Sequence, residues 1–470
     1  MKNYFNSEFD NPPLSQKIIT YFNFAFLLLS QIVVQSLRKF FLPKRLLLTR
    51  DSKLIINNAR ESYGDQIEDY SMGIKHELDS NYYSTLSGFQ QIYNVAALAR
   101  IKSCFHKEVF SAPGRVIQIR GGYKLNFGSY NYLGFAGIDF TEKLIETVRQ
   151  YGLGNDQYYD LLKDLEAKMS SFLDKEDTAI YSMGYDTNAL GIPAIIGSND
   201  LIISDKLNHA SIVSGCKRSG AKLMVFRHKM DHLEEILTQI DFDSYNSVWV
   251  IVEGLYSMEG CYVDLQKLVQ LKEVYPIKLY VDEAHSIGAV GATGRGICEY
   301  FGIPHQKIDI LMGTFTKSFS SVGGYIAGGK NIISKVRQAF FAYPKISPLC
   351  VQQVFQAFEN LTPQRINNLK LNSIYLRNSL QKLNLTVYGD IDSPVIPVVF
   401  YNIAKMKFIQ DYLIKRNIIT VVVGFPAVPL VSSRLRFCVS ASHKISDLDY
   451  LIGCMKDLKK LIKIDFENVQ

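Results

Sequence analysis

The feature that most constrains this chain is a series of short apolar runs, Leu201–Ser204, Lys222–Phe226, Val248–Val252, Lys278–Val281 and Ile308–Met312, separated by helix-like stretches. Strands joined through helices are not hairpins. Their crossovers set them side by side in a mostly parallel sheet with helices on its faces. The predicted fold class is therefore α/β. Polar or glycine residues follow most of the runs, and the carboxyl ends of parallel strands are where such folds gather chemistry. After about residue 370 a helix and the strand-like Val395–Tyr401 and Leu435–Val439 predict a smaller α+β domain. The expected division is a tail and apolar anchor over 1–50, a helical connector or N-terminal arm over 51–124, a large sheet domain over 125–370 and a small domain over 371–470. With 47% hydrophobic residues in 470, the chain can bury cores for about two or three domains.

Charge and cysteine usage narrow the function classes. The net charge of +7 is mildly basic, but the 52 Lys and Arg are spread along the whole length, so no nucleic acid is expected as a partner. The seven cysteines are far apart and show no C-x-x-C spacing, which argues against a disulfide framework and against a metal site, and fits a reducing compartment. Ile18 to Leu37 carries no charge and is long enough to cross a bilayer core of about 30 Å as a helix. Arg38, Lys39, Lys44 and Arg45 follow it, while Glu8 and Asp10 precede it. That asymmetry predicts a membrane anchor with the bulk of the chain on the cytosolic side. Polar residues such as Asn23, Gln31 and Gln35 leave an interfacial helix as the alternative.

The stretch from Met312 to Lys330 is the richest in chemistry. The apolar run reads as ending at Gly313, and Thr314, Phe315, Thr316 and Lys317 follow before a second glycine-rich bend. A partly desolvated lysine just past a strand end can lose its proton and add to a carbonyl as a Schiff base. At Val281-Asp282-Glu283-Ala284-His285 another strand ends in an acid, with an imidazole three residues on. That carboxylate could keep a ring nitrogen protonated, since a nearby opposite charge favours the charged form. The alternative is that Asp282 and His285 cap the next helix. Gly184 and Tyr185 open a helix-like run after the strand-like Thr178–Tyr181, so their turn presents free N–H groups that suit a phosphate. His209, at a further strand end, offers either a flat ring for a cofactor face or a structural hydrogen bond. Arg434 and Arg436 alternate along a strand and share one face, where one could grip a carboxylate; otherwise both are solvated edge charges. Gly288, Gly291, Gly294 and Gly296 are not in G-x-G-x-x-G order, which rules out a dinucleotide fingerprint.

In this order, GSYNYLGF, the Gly184-Tyr185 turn, NHAS, VEGLYSMEG, DEAHS and GTFTKSF resemble the α-oxoamine synthases over roughly residues 85–455. The resemblance implies a fold-type I, aspartate-aminotransferase-like architecture and pyridoxal 5'-phosphate as cofactor. It implies condensation of an amino acid with an acyl-CoA and release of CO2. Within the family, SYNYLGFAG, GTFTKSF, VVVGFPAVPLVSSRLRFCVSASH and the apolar N-terminal segment are most similar to the catalytic long-chain-base subunits. Their substrates are L-serine and palmitoyl-CoA and their product is 3-ketosphinganine. The same likeness implies a heterodimer with a related, lysine-lacking partner subunit, and an endoplasmic reticulum membrane location with the catalytic domain facing the cytosol.

Residue by residue, Lys317 matches the Schiff-base lysine, Asp282 the partner of the ring nitrogen, His285 the donor to the ring 3-oxygen and His209 the stacking histidine. Gly184, Tyr185, Thr314 and Thr316 fall at cofactor-binding positions. Arg436, with Arg434 as second choice, Asn131 and Tyr132 fall at substrate-binding ones. Two departures stand out. The segment between Gly152 and Glu166 is shorter than in the family, with Leu162 where the family carries histidine, and Ser320-Ser321 replaces the usual Gly-Ala after KSF. Another α-oxoamine synthase, similar to 5-aminolevulinate synthase, or a catalytically impaired scaffold subunit are the rival readings.

Overall fold

The structure is a computed structural model that describes residues 14, 16–22, 107–154, 158–341, 343–401, 403–425 and 427–462. In chain order the strands are β1 (Val116–Ile119), β2 (Gly122–Asn126), β3 (Asp177–Tyr181), β4 (Leu201–Asp205), β5 (Lys222–Phe226), β6 (Val248–Glu253) and β7 (Ile277–Asp282). They continue with β8 (Ile310–Thr314), β9 (Gly324–Gly328), β10 (Thr386–Val387), β11 (Val395–Tyr401), β12 (Ile418–Ile419), β13 (Val421–Val423) and β14 (Ser433–Cys438).

The large sheet has seven strands in the order β3-β9-β8-β7-β6-β4-β5. Its ladders are parallel except where β9 runs against β3 and β8. Helices Gly184–Ile195, Ala210–Arg218, Met230–Thr238 and Leu265–Val274 make the crossovers between β3 and β7. β4 and β6 are buried along their whole length. Leu201, Ile203, Val250 and Val252 enter one apolar cluster, while the alternating Ile202, Trp249 and Ile251 enter the other. Burial on both faces is why such strands read as continuous apolar runs. Each fully buried side chain of this kind contributes roughly 1.5–3 kcal/mol.

β8 starts and ends later than its apolar run. Ile308 lies in a turn, its N–H donating to the His305 carbonyl, while Gly313 and Thr314 continue the ladder opposite Tyr325 and Gly324 of β9. Lys317 therefore follows the strand by three residues, and β7 and β8 end side by side with Asp282 opposite Met312.

A second sheet, β10-β11-β14-β13, is antiparallel throughout, and β14 is one of its inner strands. The expectation of a helical connector over 51–124 needs correction at its described end, where β1 and β2 form a hairpin. The alternating Val116, Ile117, Gln118, Ile119 and the Gly121-Gly122 turn, both glycines at positive φ, favour a hairpin over a helix. β2 also pairs in parallel with β12, forming a third sheet that ties this arm to the C-terminal region. Helix Pro363–Lys382 runs straight through the expected boundary at residue 370. Of the apolar N-terminal run only 18–22 are described, as helix. The rest of it, and the connector up to residue 106, lie outside the described residues. Among the described residues no helix is long and apolar enough to cross a membrane.

Candidate active site

The carboxyl ends of β6, β7 and β8 converge with the loop before helix Ala210–Arg218 and with β14. Asp282 ends β7 and is buried; its Oδ1 accepts the Ala284 N–H at 2.8 Å and its Oδ2 accepts from Asn188 Nδ2 at 2.7 Å. Asn188 also donates to Ser211 Oγ at 3.0 Å and accepts from the Tyr280 hydroxyl at 2.8 Å. Ser211 in turn meets His209 Nδ1 at 2.8 Å, and that nitrogen accepts the Ser211 N–H at 3.2 Å. His209 is thus the N-cap of its helix, with its ring on the accessible side of the site. The structural hydrogen bond expected of His209 is present, made through Nδ1 to Ser211. Burial pushes the His209 imidazole below its usual range against the pull of Asp282.

Glu253 ends β6, opposite Asp282 in the ladder, and its Oε1 accepts the His209 N–H at 2.6 Å. Burial, with Asp282 adding repulsion, drives the Glu253 carboxyl well above the usual range. Lys317 is half-buried, its Nζ 5.5 Å from the centre of the Tyr130 ring. Desolvation lowers its amine to about 8, opposed by Asp282 and Glu253 and reinforced by Arg436. An amine at that value is partly unprotonated near neutrality, as nucleophilic addition and proton transfer require.

Arg436 lies on the same ring, its guanidinium carbon 4.6 Å from the Tyr130 centroid. Tyr130 therefore stands against two cations and edge-on to His285, with centroids 4.8 Å apart. The His285 ring is buried, and Tyr132 OH lies 2.8 Å from its Nδ1. Burial holds His285 well below its usual range, with Lys317 and Arg436 adding to the effect. Arg434, on the same face of β14, is turned to other duties: it donates to the Met258 carbonyl at 2.8 Å and faces Glu259 at 3.5 Å. Both arginines are buried on an inner strand, so neither is a solvated edge charge. Asn131 and Tyr132 are committed to protein partners, Asn131 through Pro113, Ala136 and Ser320 and Tyr132 through His285.

On the far side of Lys317, helix Gly184–Ile195 starts without a side-chain cap, so its first N–H groups are free of helical acceptors. A methyl group at Gly184 would stand 2.5 Å from Thr314 Oγ1, so the helix start and the strand end approach as closely as glycine allows. Thr314 Oγ1 bonds the Gly323 carbonyl at 2.8 Å and lies 2.9 Å from Thr316 Oγ1. Thr316 and Tyr185 are exposed beside it, with Tyr185 edge-on to His209. Helix N-terminus, hydroxyls, buried carboxylate and amine together fit an anionic, ring-bearing aldehyde such as pyridoxal phosphate.

Sequence reasoning passed over Asn188, Ser211, Glu253 and Tyr130 as site residues. Asn188 lies four residues after Gly184, one helical turn along the same face, and that spacing was the available signal.

Residues 123–454 match the family model for aminotransferase class I and II. The chain is 37% identical over 459 residues to serine palmitoyltransferase 2 of Schizosaccharomyces pombe, covering 88% of this chain and 76% of that one. It is 37% identical over 422 residues to serine palmitoyltransferase 2 of Dictyostelium discoideum, covering 80% and 86%. Among solved structures it is similar to a serine palmitoyltransferase from S. paucimobilis with bound PLP–myriocin. That match has a TM-score of 0.74 and 23% identity, and covers 81% of this chain and 99% of that one. At that identity the structural likeness speaks to the fold.

Proposed function

We propose, for a chain that belongs to the aminotransferase class I and II family and within it to the serine palmitoyltransferase 2 relatives, that it is the catalytic subunit of a serine palmitoyltransferase. Its fold is the fold-type I, aspartate-aminotransferase-like α/β fold with a mixed sheet. The reaction joins L-serine to palmitoyl-CoA, releasing CoA and the serine carboxylate as CO2, and yields 3-ketosphinganine.

The observation that carries this reading is the Lys317 amine, lowered to about 8 among Asp282, Glu253 and Arg436 beside a glycine-started helix. Pyridoxal phosphate, when bound, supplies an aldehyde for an amine and a protonated ring that accepts electrons from a substrate carbon. Asp282 would hold the proton on that ring nitrogen. The helix start at Gly184, with Tyr185, Thr314 and Thr316, would hold the phosphate. His209 would cover one face of the ring, while His285, kept neutral and fixed by Tyr132, would meet its oxygen substituent. Lys317 would take the proton from the serine α-carbon, since an amine near 8 both accepts and returns a proton at neutral pH. Arg436 would grip the serine carboxylate, and Tyr130 would exclude water between the two cations.

Met183, Tyr185 and Val322 leave an exposed apolar rim at the mouth of the site. Such a rim fits a lysine-lacking partner subunit closing the site from outside. The segment Ile18–Leu37 would hold the complex on the endoplasmic reticulum membrane with this site in the cytosol.

The deciding experiment co-expresses the chain with the partner subunit and assays serine and palmitoyl-CoA, wild type against Lys317→Ala. Product is expected from the wild type and at most about a thousandth as much from the variant, and borohydride is expected to fix the cofactor to the Lys317 peptide. A trapped peptide without Lys317 would overturn the site. A cofactor-loaded wild type that makes no product would favour a scaffold subunit.

A further inference from the structure

Ser320, three residues beyond Lys317, has φ +51. That left-handed conformation crowds the β-carbon of any residue other than glycine, and it persists only where the surroundings over-determine it. Two bonds do so here. The Ser320 N–H donates to the Lys317 carbonyl at 3.1 Å, closing the turn that carries the amine. The Ser320 hydroxyl donates to Asn131 Oδ1 at 2.8 Å. Asn131 is itself fixed, its Nδ2 donating to the Pro113 carbonyl at 3.0 Å and its Oδ1 also accepting the Ala136 N–H at 3.3 Å. Its neighbours are Tyr130, whose ring stands 5.5 Å from Lys317 Nζ, and Tyr132, bonded to His285. The turn is held from behind as well, since Ser321 N–H donates to the Phe315 carbonyl at 2.9 Å and Ser321 Oγ to that of Cys350 at 2.7 Å.

We infer that Ser320 is a positioning residue for Lys317: its hydroxyl ties the lysine turn to the Asn131 loop and so fixes where the amine stands against the Tyr130 ring. The strained backbone and the tether form one device, because the left-handed turn is what aims the hydroxyl at Asn131. The inference rests on the proposed function only for what the amine does, since the clamp itself is a property of the fold. The groups facing the amine are Asp282, Glu253, Arg436, Cys438 and Tyr130, from β7, β6, β14 and the Asn131 loop, with His209, before helix Ala210–Arg218, and His285, after β7, also in its field. Moving the amine relative to them changes how readily it gives up its proton.

The test uses the full chain as purified with its partner subunit, treated with hydroxylamine to free Lys317. Acetylation of Lys317 by acetic anhydride is followed against pH by mass spectrometry, in wild type, Ser320→Gly and Asn131→Ala. Glycine suits the left-handed turn and deletes the tether, so Ser320→Gly is expected to melt within a few degrees of wild type. Its Lys317 midpoint is expected to move up by about half a pH unit or more towards that of an ordinary lysine. Asn131→Ala removes the acceptor instead and is expected to give the same shift. A folded Ser320→Gly or Asn131→Ala with an unmoved midpoint overturns the inference. Absence of pyridoxal phosphate from the wild-type hydroxylamine wash would count against the proposed function, and the labelling comparison would still decide this one.

Discussion

Glu283 follows Asp282 directly in the sequence, yet its side chain points away from the amine and into the fold. Its carboxylate accepts the Ile297 N–H at 3.0 and 3.1 Å, bonds the Ser286 hydroxyl and presses against Gly254 and Gly296. Burial raises it from 4.5 to about 7. A carboxyl raised on folding contributes stability that is complete below its ordinary value and is lost as pH rises through the folded value. The wild type should therefore weaken between about pH 4.5 and 7 relative to Glu283→Gln, by on the order of 3 kcal/mol. Melting curves at pH 5 and pH 8 check this. A gap between the two proteins that does not change with pH would refute it. From the sequence alone Asp282 and Glu283 were distinguishable only by the pleat, which sends neighbours to opposite faces. Arg434 and Arg436 share a face, so that argument could not separate them. Both reach Met258, and their separation came from Glu259, far away in the chain, which faces Arg434, and from the Tyr130 ring, which faces Arg436.

At the scale of elements, the start of helix Gly184–Ile195 is the part of the site with least slack. In Gly184→Ala the new methyl meets Thr314 Oγ1, which is already bonded to the Gly323 carbonyl. Overpacking of this kind costs typically about 1–3 kcal/mol, so cofactor affinity should fall about ten- to a hundredfold. An absorbance titration with pyridoxal phosphate measures it, and unchanged affinity would place the phosphate elsewhere. β4 and β6 of the large sheet were legible because burial on both faces writes them as apolar runs. β5, that sheet's mostly exposed edge strand, and β11, in the second sheet, were legible as well and match their runs residue for residue. The hairpin of β1 and β2 was not, since its alternating pattern is short and its partner β12 holds only two residues from a distant part of the chain. Asn188, Ser211 and Glu253 were hidden for another reason. Buried polar groups at strand and helix ends look like ordinary caps until the fold shows what they face.

For the whole molecule, the apolar segment Ile18–Leu37 ought to govern where the complex resides. Removing residues 1–50 should move most of the protein from the alkali-resistant membrane fraction to the supernatant, while serine-dependent condensation persists in detergent. Continued membrane retention would assign that role to another surface or to the partner. The pairing of β2 with β12 bears on how the chain is made. β2 leaves the ribosome early, but the strand that completes its outer edge lies at 418–419, after the whole of the large sheet. Until then that edge offers open backbone groups to any passing strand. Contacts this distant in sequence are slow to form. The arm therefore keeps an unpaired edge until residues 418–419 have been made and folded back onto it.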